Sequence, residues 1–140
     1  MAAVGTIAPI FFKSPSYAVI GASKDQTKFG TKILKWYQAR DMDITPVHPK
    51  ESELEGVATV KSIEELPSPG TTSVSIVTPP KITLGILQKA KEVNVPALWI
   101  QPGAEDDAVI EYIKENNMAD KVIYGGACVL VDGDGYRTNP

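Results

Sequence analysis

The chain has 140 residues, of which 43% are hydrophobic and 22% are charged. This length is typical of one domain that can bury a substantial core. The formal net charge of −3 argues against a nucleic-acid partner, because nucleic-acid-binding domains usually present a basic surface. Apolar runs stay well short of the roughly 20 residues that span a bilayer, so we expect no membrane partner.

The terminal segment 1–15 is apolar, with Lys13 as its only charge. It lacks the charged start of a secretory signal and the Arg-rich character of a transit peptide, and we expect it to dock ahead of the first strand. A single cysteine, Cys128, cannot form an internal disulfide, which fits a reducing compartment and predicts a cytoplasmic protein. A single histidine, His48, argues against a His-rich metal site, and we expect no metal.

Two hydrophobic periods alternate in the first part of the chain. Tyr17-Ala-Val-Ile20 is a continuous apolar run, typical of a strand covered on both faces. Apolar residues then recur at helical spacing over 29–37, and Asp25 or Thr27 is the expected N-cap of that helix. A second strand is predicted over 43–48, where Pro46 indicates an edge position or an early end.

The alternation continues to the end of the chain. Further strands are predicted over 57–60, 73–77, 97–100 and 121–124. Ser62-Ile-Glu-Glu65 has capping-box spacing and predicts a short helix that ends at Pro67. A helix beginning after Pro79-Pro80 is predicted to carry Ile82 on its apolar face, and the next helix has an acidic first turn at 105–107.

This alternation predicts a Rossmann-like α/β fold with a doubly wound, mainly parallel sheet of about five strands in a single domain. We place that domain at 16–131, after the N-terminal segment 1–15. Asp132-Gly-Asp134-Gly lacks the glutamate of a calcium loop. We therefore expect a turn there, leading into a polar tail at 132–140.

The turn after the first strand is the main candidate for a binding site. Gly21-Ala-Ser23 follows a buried strand and precedes a helix, an arrangement that directs backbone N–H groups and a positive helix end at a phosphate. The second glycine of the dinucleotide fingerprint is absent, and no carboxylate ends the second strand. These departures disfavour NAD. Lys50 after that strand favours a ligand with a phosphate on its ribose, such as NADP or coenzyme A.

A series of short motifs resembles the CoA-binding domain that opens the alpha subunit of succinyl-CoA synthetase and the ADP-forming acyl-CoA synthetases. The series reads Gly21-Ala-Ser23, Phe29-Gly30, Pro46-Val-His-Pro-Lys50, then Gly56 with Ser62-Ile-Glu-Glu-Leu-Pro67, and finally Val77-Thr-Pro-Pro80. Its order is more specific than any single motif, and it covers about 16–131. The chain is most similar to the small stand-alone members of that superfamily.

The resemblance implies a set of CoA contacts. Gly21, Ala22 and Ser23 would hold the phosphates, and Phe29 with Gly30 would close that loop at the helix start. The adenosine side would be lined by Val47, Pro49 and Lys50, with Lys50 near a phosphate. The pantetheine arm would pass Thr78, Pro79 and Pro80, with Ile82 beside it. For Pro79, Pro80 and Ile82, a helix start and core packing explain the residues equally well.

The synthetase reaction itself is not implied. Those enzymes transfer phosphate through a histidine in a second domain and need an ATP-grasp partner, whereas His48 lies in the adenosine-side loop. We therefore expect a CoA or acyl-CoA binding protein without independent catalysis, acting as carrier, sensor or regulator. No catalytic residue is assigned.

Cys128 follows the last predicted strand in Tyr124-Gly-Gly-Ala-Cys128. Small stand-alone members that resemble this chain often carry a cysteine near this point. A loop at the carboxyl edge could bring it toward the thiol of CoA, which suggests a mixed disulfide or thioester-linked chemistry. The alternative is a small packed cysteine.

Two other functions compete with CoA binding. One is an NADP-dependent enzyme that uses the same phosphate loop. The other is a domain that has lost its ligand and acts through protein contacts, for example as a homodimer.

Overall fold

A parallel sheet of five strands forms the centre of the computed structural model, which describes residues 4–138. The elements in chain order are α1 (Val4–Phe11), β1 (Ser16–Ile20), α2 (Phe29–Gln38), β2 (Ile44–Val47), β3 (Glu53–Leu54), β4 (Val57–Ala58), β5 (Thr72–Ile76), α3 (Pro80–Glu92), β6 (Leu98–Ile100), α4 (Asp107–Glu115), β7 (Val122–Ile123) and α5 (Val129–Thr138). Short 3-10 helices lie at Ile63–Glu65 and Pro69–Thr71. The predicted fold class is confirmed.

The strand order β2-β1-β5-β6-β7 decides where a ligand can enter. All four neighbouring pairs are parallel. The chain first moves outward from β1 to β2 and then returns to pair β5 with the other side of β1. The crossover direction therefore reverses between β1 and β5, and in such sheets a crevice opens there, beyond the carboxyl ends of the strands.

Burial on both sheet faces explains the continuous apolar strands. On one face, Ala18 and Ile20 of β1 pack with residues of α3 and α4; on the other, Tyr17 and Val19 pack with residues of α1, α2 and α5. The second cluster is rich in aromatic rings, among them Phe11, Tyr17, Trp36, Tyr37 and Trp99. Pro46 lies in β2 at the edge of the sheet, as predicted.

Buried hydroxyls in β5 are hydrogen-bonded. Ser75 lies opposite Tyr37, with their oxygens 2.6 Å apart, and Ser73 donates to the carbonyl of Phe11 at 2.7 Å. Because buried polar groups need partners, these two serines tie the central strand to α2 and α1.

The C-terminal segment differs from the prediction. Asp132 and the residues up to Thr138 belong to α5, which packs against α1 and α2, and do not form a turn into a polar tail. Residues 139–140 lie outside the described part. The domain boundaries at 16 and 131 stay a prediction.

Several local predictions were also wrong. The N-cap of α2 is Lys28 without a side-chain cap bond, and neither Asp25 nor Thr27 holds that position. Ser62 precedes a 3-10 helix and bonds Glu64 in place of the predicted capping box. The predicted strand at 57–60 is shorter, and β4 pairs with β3 in a small antiparallel hairpin.

Candidate ligand site at the carboxyl edge of the sheet

Gly21 brings three segments into close contact at the end of β1. Its φ is +117°, a conformation that favours glycine, and a Cβ there would overlap the carbonyl oxygen of Val77 after β5. A Cβ on Gly30, in the first turn of α2, would overlap the carbonyl of Gly21. Both glycines are therefore required by close backbone packing, and together they hold the first turn of α2 against the ends of β1 and β5.

Ser23 is held in this loop by Thr31, a residue that the sequence analysis missed. The Ser23 N–H donates to Thr31 Oγ1 at 3.1 Å, and the Thr31 hydroxyl donates back to the Ser23 carbonyl at 2.8 Å. The N–H of Asp25 donates to Ser23 Oγ at 3.1 Å. The Ser23 N–H is thus used internally, which leaves its hydroxyl hydrogen as the side-chain donor that can face a ligand.

The rest of the loop contacts the turn after β2 and the β3–β4 hairpin. Lys24 pairs with Glu51 at 3.3 Å, and the Gln26 amide donates to Glu55 at 2.8 Å. Asp25 accepts hydrogen bonds from the N–H and the hydroxyl of Thr27, and these bonds lower the pKa of its carboxyl group. The loop shape therefore depends on polar contacts from a hairpin distant in sequence.

The turn after β2 is organised by His48. Its Nδ1 accepts the backbone N–H groups of Lys50 and Glu51, both at 3.0 Å, and the backbone N–H of His48 donates to the Val60 carbonyl at 2.9 Å. Pro49 and Lys50 are exposed in that turn. His48 is therefore a turn-forming residue here, with Nδ1 occupied as an acceptor.

A cavity of about 410 Å³ adjoins these loops, within the size range of small-ligand sites. It lies between the ends of β1 and β2, the 3-10 helix at Ile63–Glu65 and α3. Its lining is mainly apolar, with a rim of charged side chains, and comprises Ile20, Val47, Pro49, Lys61, Ser62, Ile63, Glu64, Lys81, Ile82, Gly85, Ile86 and Lys89.

The cavity brings together three of the predicted contacts, Val47, Pro49 and Ile82. Ile82 is 55% exposed, which excludes core packing, the alternative explanation for this residue; its role as a ligand contact stays a prediction. Lys50 is not part of the lining, whereas Lys61 and Lys81 are. The sequence offered no periodic signal for these two lysines, because their proximity arises only when α3 packs beside the 3-10 helix.

A second depression of about 310 Å³ lies beyond β5 and β6 and is lined by Val77, Thr78, Pro79, Pro102, Gly103 and Ala104. Thr78 and Thr83 have their hydroxyl oxygens 2.9 Å apart, which orders the start of α3. Pro79 is the N-cap and Pro80 the first residue of that helix. Thr78 and Pro79 therefore face an open groove next to the first loop.

Cys128 lies farther along the same edge, just before α5. It is half-buried, and its N–H donates to Asp132 at 3.1 Å. The neighbouring Val129 N–H donates to the side chain of buried Gln101 at 3.0 Å. Cys128 lines neither cavity. Within residues 4–138 no cluster of His, Cys, Asp and Glu could hold a metal ion, and no helix could cross a membrane.

Comparison with known sequences agrees with this arrangement. The profile of the CoA binding domain family matches residues 15–134, which is most of the chain. The chain belongs to the CoA binding domain family. The match includes both loops and every residue that lines the larger cavity, and it supports CoA binding in general terms.

Individual CoA binding domain relatives include enzymes and small proteins. The chain is 39% identical over 74 residues to the alpha subunit of an ADP-forming acetate–CoA ligase II from Pyrococcus furiosus, covering 51% of this chain but only 15% of that subunit. It is 27% identical over 109 residues to the uncharacterized protein YneT of Bacillus subtilis, covering 78% of this chain and 80% of YneT.

A solved structure supports the same fold. A conserved hypothetical protein from Pyrococcus furiosus is 32% identical, with a TM-score of 0.75, and the alignment covers 84% of this chain and 97% of that protein. Nearly the whole length of that protein therefore has the fold described here.

Proposed function

We propose that this protein binds CoA or an acyl-CoA at the carboxyl edge of its sheet and acts as a carrier, sensor or regulator. The observation that carries the proposal is the adjacency of the glycine turn at the end of β1 and an apolar cavity of about 410 Å³. Ile20 lines the cavity and Gly21 begins the loop. One nucleotide can therefore place its base in the cavity and its phosphates on the loop.

The pyrophosphate is assigned to the first loop. Gly21 lets the loop turn tightly against Val77, and the Ser23 hydroxyl is available as a donor. The first N–H groups of α2, at Phe29 and Gly30, have no intrahelical acceptor and carry the positive end of the helix dipole. Ala22 is 2% exposed, so its side chain packs into the protein. Its backbone would lie beside the bound phosphates.

The remaining parts of CoA are assigned to the neighbouring segments. Adenine fits the cavity beside Val47, Pro49 and Ile82, and Lys50 lies in the turn next to it. The pantetheine arm would run over Thr78, Pro79 and Pro80 toward the groove beyond β6. We do not transfer the ligase reaction, because this chain spans 15% of the ligase subunit.

Thermal unfolding with CoA, acetyl-CoA, NADP and NAD side by side tests the proposal. A ligand that binds the native state raises stability by RT ln(1 + [L]/Kd). We expect an increase in Tm with CoA and acetyl-CoA and none with NAD. A shift with NADP alone would establish the competing NADP site, and no shift with any ligand would favour a domain that acts through protein contacts.

A thiol reaction at Cys128 is a second proposal. Cys128 is half-buried and lies just before α5 at the carboxyl edge of the sheet. The thiolate would attack CoA disulfide, forming a protein–CoA disulfide and releasing one CoA thiolate. Intact mass after incubation with CoA disulfide should rise by one CoA moiety, reversibly with reductant, and Cys128→Ser should remain unmodified. An unmodified wild-type mass would refute this proposal.

A further inference from the structure

The rim of the larger cavity carries an excess of positive charge. Its lining includes three lysines, Lys61, Lys81 and Lys89, and a single carboxylate, Glu64. Lys89 already pairs with Glu64 at 3.4 Å and with Glu92 at 2.8 Å. Its charge is therefore neutralised by the protein itself.

Lys61 and Lys81 differ from Lys89 in this respect. Both are exposed, and neither forms an ion pair with any residue between 4 and 138. Lys81 lies in the first turn of α3, which contains no acidic residue and has no side-chain cap. A cation at that end opposes the helix dipole, so Lys81 does not stabilise the fold there, and an anion on the rim would compensate both charges.

The position of the two lysines relative to the phosphate loop indicates which anion. A nucleotide that places its base against Ile63 and Ile82 and its pyrophosphate on Gly21 has its ribose at the cavity mouth. A phosphate monoester on that ribose would then lie at the rim. Such a group carries a charge close to −2 at neutral pH, which matches two uncompensated lysines.

We propose that Lys61 and Lys81 recognise the ribose 3′-phosphate of CoA and make the site selective for CoA over dephospho-CoA. This inference rests on the proposed CoA-binding function. It assigns the discriminating charges to the cavity rim, and not to Lys50 in the neighbouring turn.

Calorimetric titration of the full chain with CoA and with dephospho-CoA tests the assignment. We expect wild type to bind CoA roughly five- to thirtyfold more tightly, as two solvent-exposed charge contacts would provide. Lys61→Ala and Lys81→Ala should each reduce CoA affinity roughly three- to fivefold and leave dephospho-CoA affinity unchanged. The double variant should bind both ligands equally.

Matched variants separate the rim from other lysines. Lys91→Ala lies on the same helix as Lys81 but outside the cavity lining, and it should keep the full preference, while Lys81→Arg should retain most of it. Thermal unfolding without ligand should not be lowered in the Lys61 and Lys81 variants, because these side chains are exposed and form no ion pair with a residue between 4 and 138. The ratio of the wild-type affinities for CoA and dephospho-CoA should also approach one at about 1 M salt, where charges are screened within about 3 Å.

The outcomes distinguish a failure of the rim assignment from a failure of the proposed CoA-binding function. Equal wild-type affinity for CoA and dephospho-CoA would overturn the rim assignment and leave CoA binding intact. A preference that survives in the double variant but disappears in Lys50→Ala would overturn it in favour of Lys50. No binding of either ligand would overturn the rim assignment together with the proposed function.

Discussion

At the residue scale, the end of β1 depends on backbone contacts that only glycine permits. Gly21 approaches the carbonyl of Val77, and Gly30 approaches the carbonyl of Gly21. Any larger residue at either position must displace a backbone carbonyl, which cannot move without shifting a central strand. The same contacts that shape the loop therefore hold β1, β5 and α2 together.

Alanine substitution should reveal this packing. Gly21→Ala combines a strained φ with an overlap, and we expect it to lower the free energy of unfolding by about 3 kcal/mol or more. Gly103→Ala is the matched control, because Gly103 has φ +93° but nothing within 4 Å of its Cβ position, so it should cost only about 1 kcal/mol. Urea denaturation measures the free energy of unfolding of both variants. A similar loss in the two variants would show that the overlap at Gly21 does not contribute.

Ionisation of the Tyr17 hydroxyl should lower the stability of the protein at alkaline pH. Burial raises the pKa of this hydroxyl from 10.0 to about 12, with Arg137 opposing the shift. The unfolded chain therefore loses its proton first, and stability that is complete below pH 10 declines as the pH rises through about 12. Two pKa units correspond to about 2.7 kcal/mol, and solvent screening lowers this contribution to about 2 kcal/mol. The pKa of Tyr37, which stacks on Tyr17 at 5.5 Å, is also raised by its burial.

Denaturation in urea at pH 8, 10 and 11 checks this expectation. Tyr17→Phe should weaken the decline, because phenylalanine has no hydroxyl to ionise. Tyr112→Phe, on α4 outside the aromatic cluster, is the control and should follow wild type. A decline of equal steepness in Tyr17→Phe would show that other groups cause it.

At the element scale, α5 is held by tertiary contacts. Arg40 of the segment after α2 donates two hydrogen bonds to the Asp134 carboxylate, both at 2.7 Å, and its guanidinium lies 4.2 Å from the centre of the Trp36 ring. A Cβ on Gly133 would overlap that ring. Asp134 is exposed, and pairing with Arg40 lowers the pKa of its carboxyl group.

Removal of this contact should loosen α5 alone. We expect Arg40→Gln to increase amide hydrogen exchange in 129–138 roughly three- to tenfold, as for loss of one exposed ion pair and its ring contact. Exchange in β1 and β5 should not change. Lys32→Gln, an exposed substitution on α2, is the control. Unchanged exchange in α5 would show that apolar packing holds the helix without Arg40.

At the scale of the whole molecule, the strand order concentrates the candidate contacts at one edge. The loops after β1, β2 and β5 meet beside the β1–β5 reversal, and the larger cavity lies next to them. The β7 end, with Cys128, is two strands away from β5. A bound nucleotide would thus contact one half of the edge.

Hydrogen exchange with and without CoA should give a matching footprint. We expect slower exchange in 21–31 and 78–86 and little change in α4, whose N-terminus lies beyond β6. NAD at the same concentration is the control ligand and should give no protection. Protection confined to α4 and β7, or spread evenly over the chain, would contradict the proposed binding path.

Much of the sheet was predictable because its strands are short apolar runs that recur between helical repeats. The edge position of β2 followed from Pro46, whose missing N–H cannot serve a central strand. The helix α5 was missed because Gly133 and Gly135 disfavour a helix locally, and only contacts with Trp36 and Arg40 outweigh that preference. Periodicity assigns Ile82 to an apolar face of α3 without showing that this part of the face opens into a cavity.

The sequence by itself determined the fold class, the glycine turn at Gly21–Ser23 and the resemblance to CoA-binding domains, because hydrophobic periodicity and turn residues act locally along the chain. Only the tertiary structure decided that Thr31 uses the Ser23 N–H, and that Lys61 and Lys81 share a cavity while Lys50 lies outside its lining. Those relations join residues that are distant in sequence, and they arise from the packing of helices against the sheet, which no local pattern records.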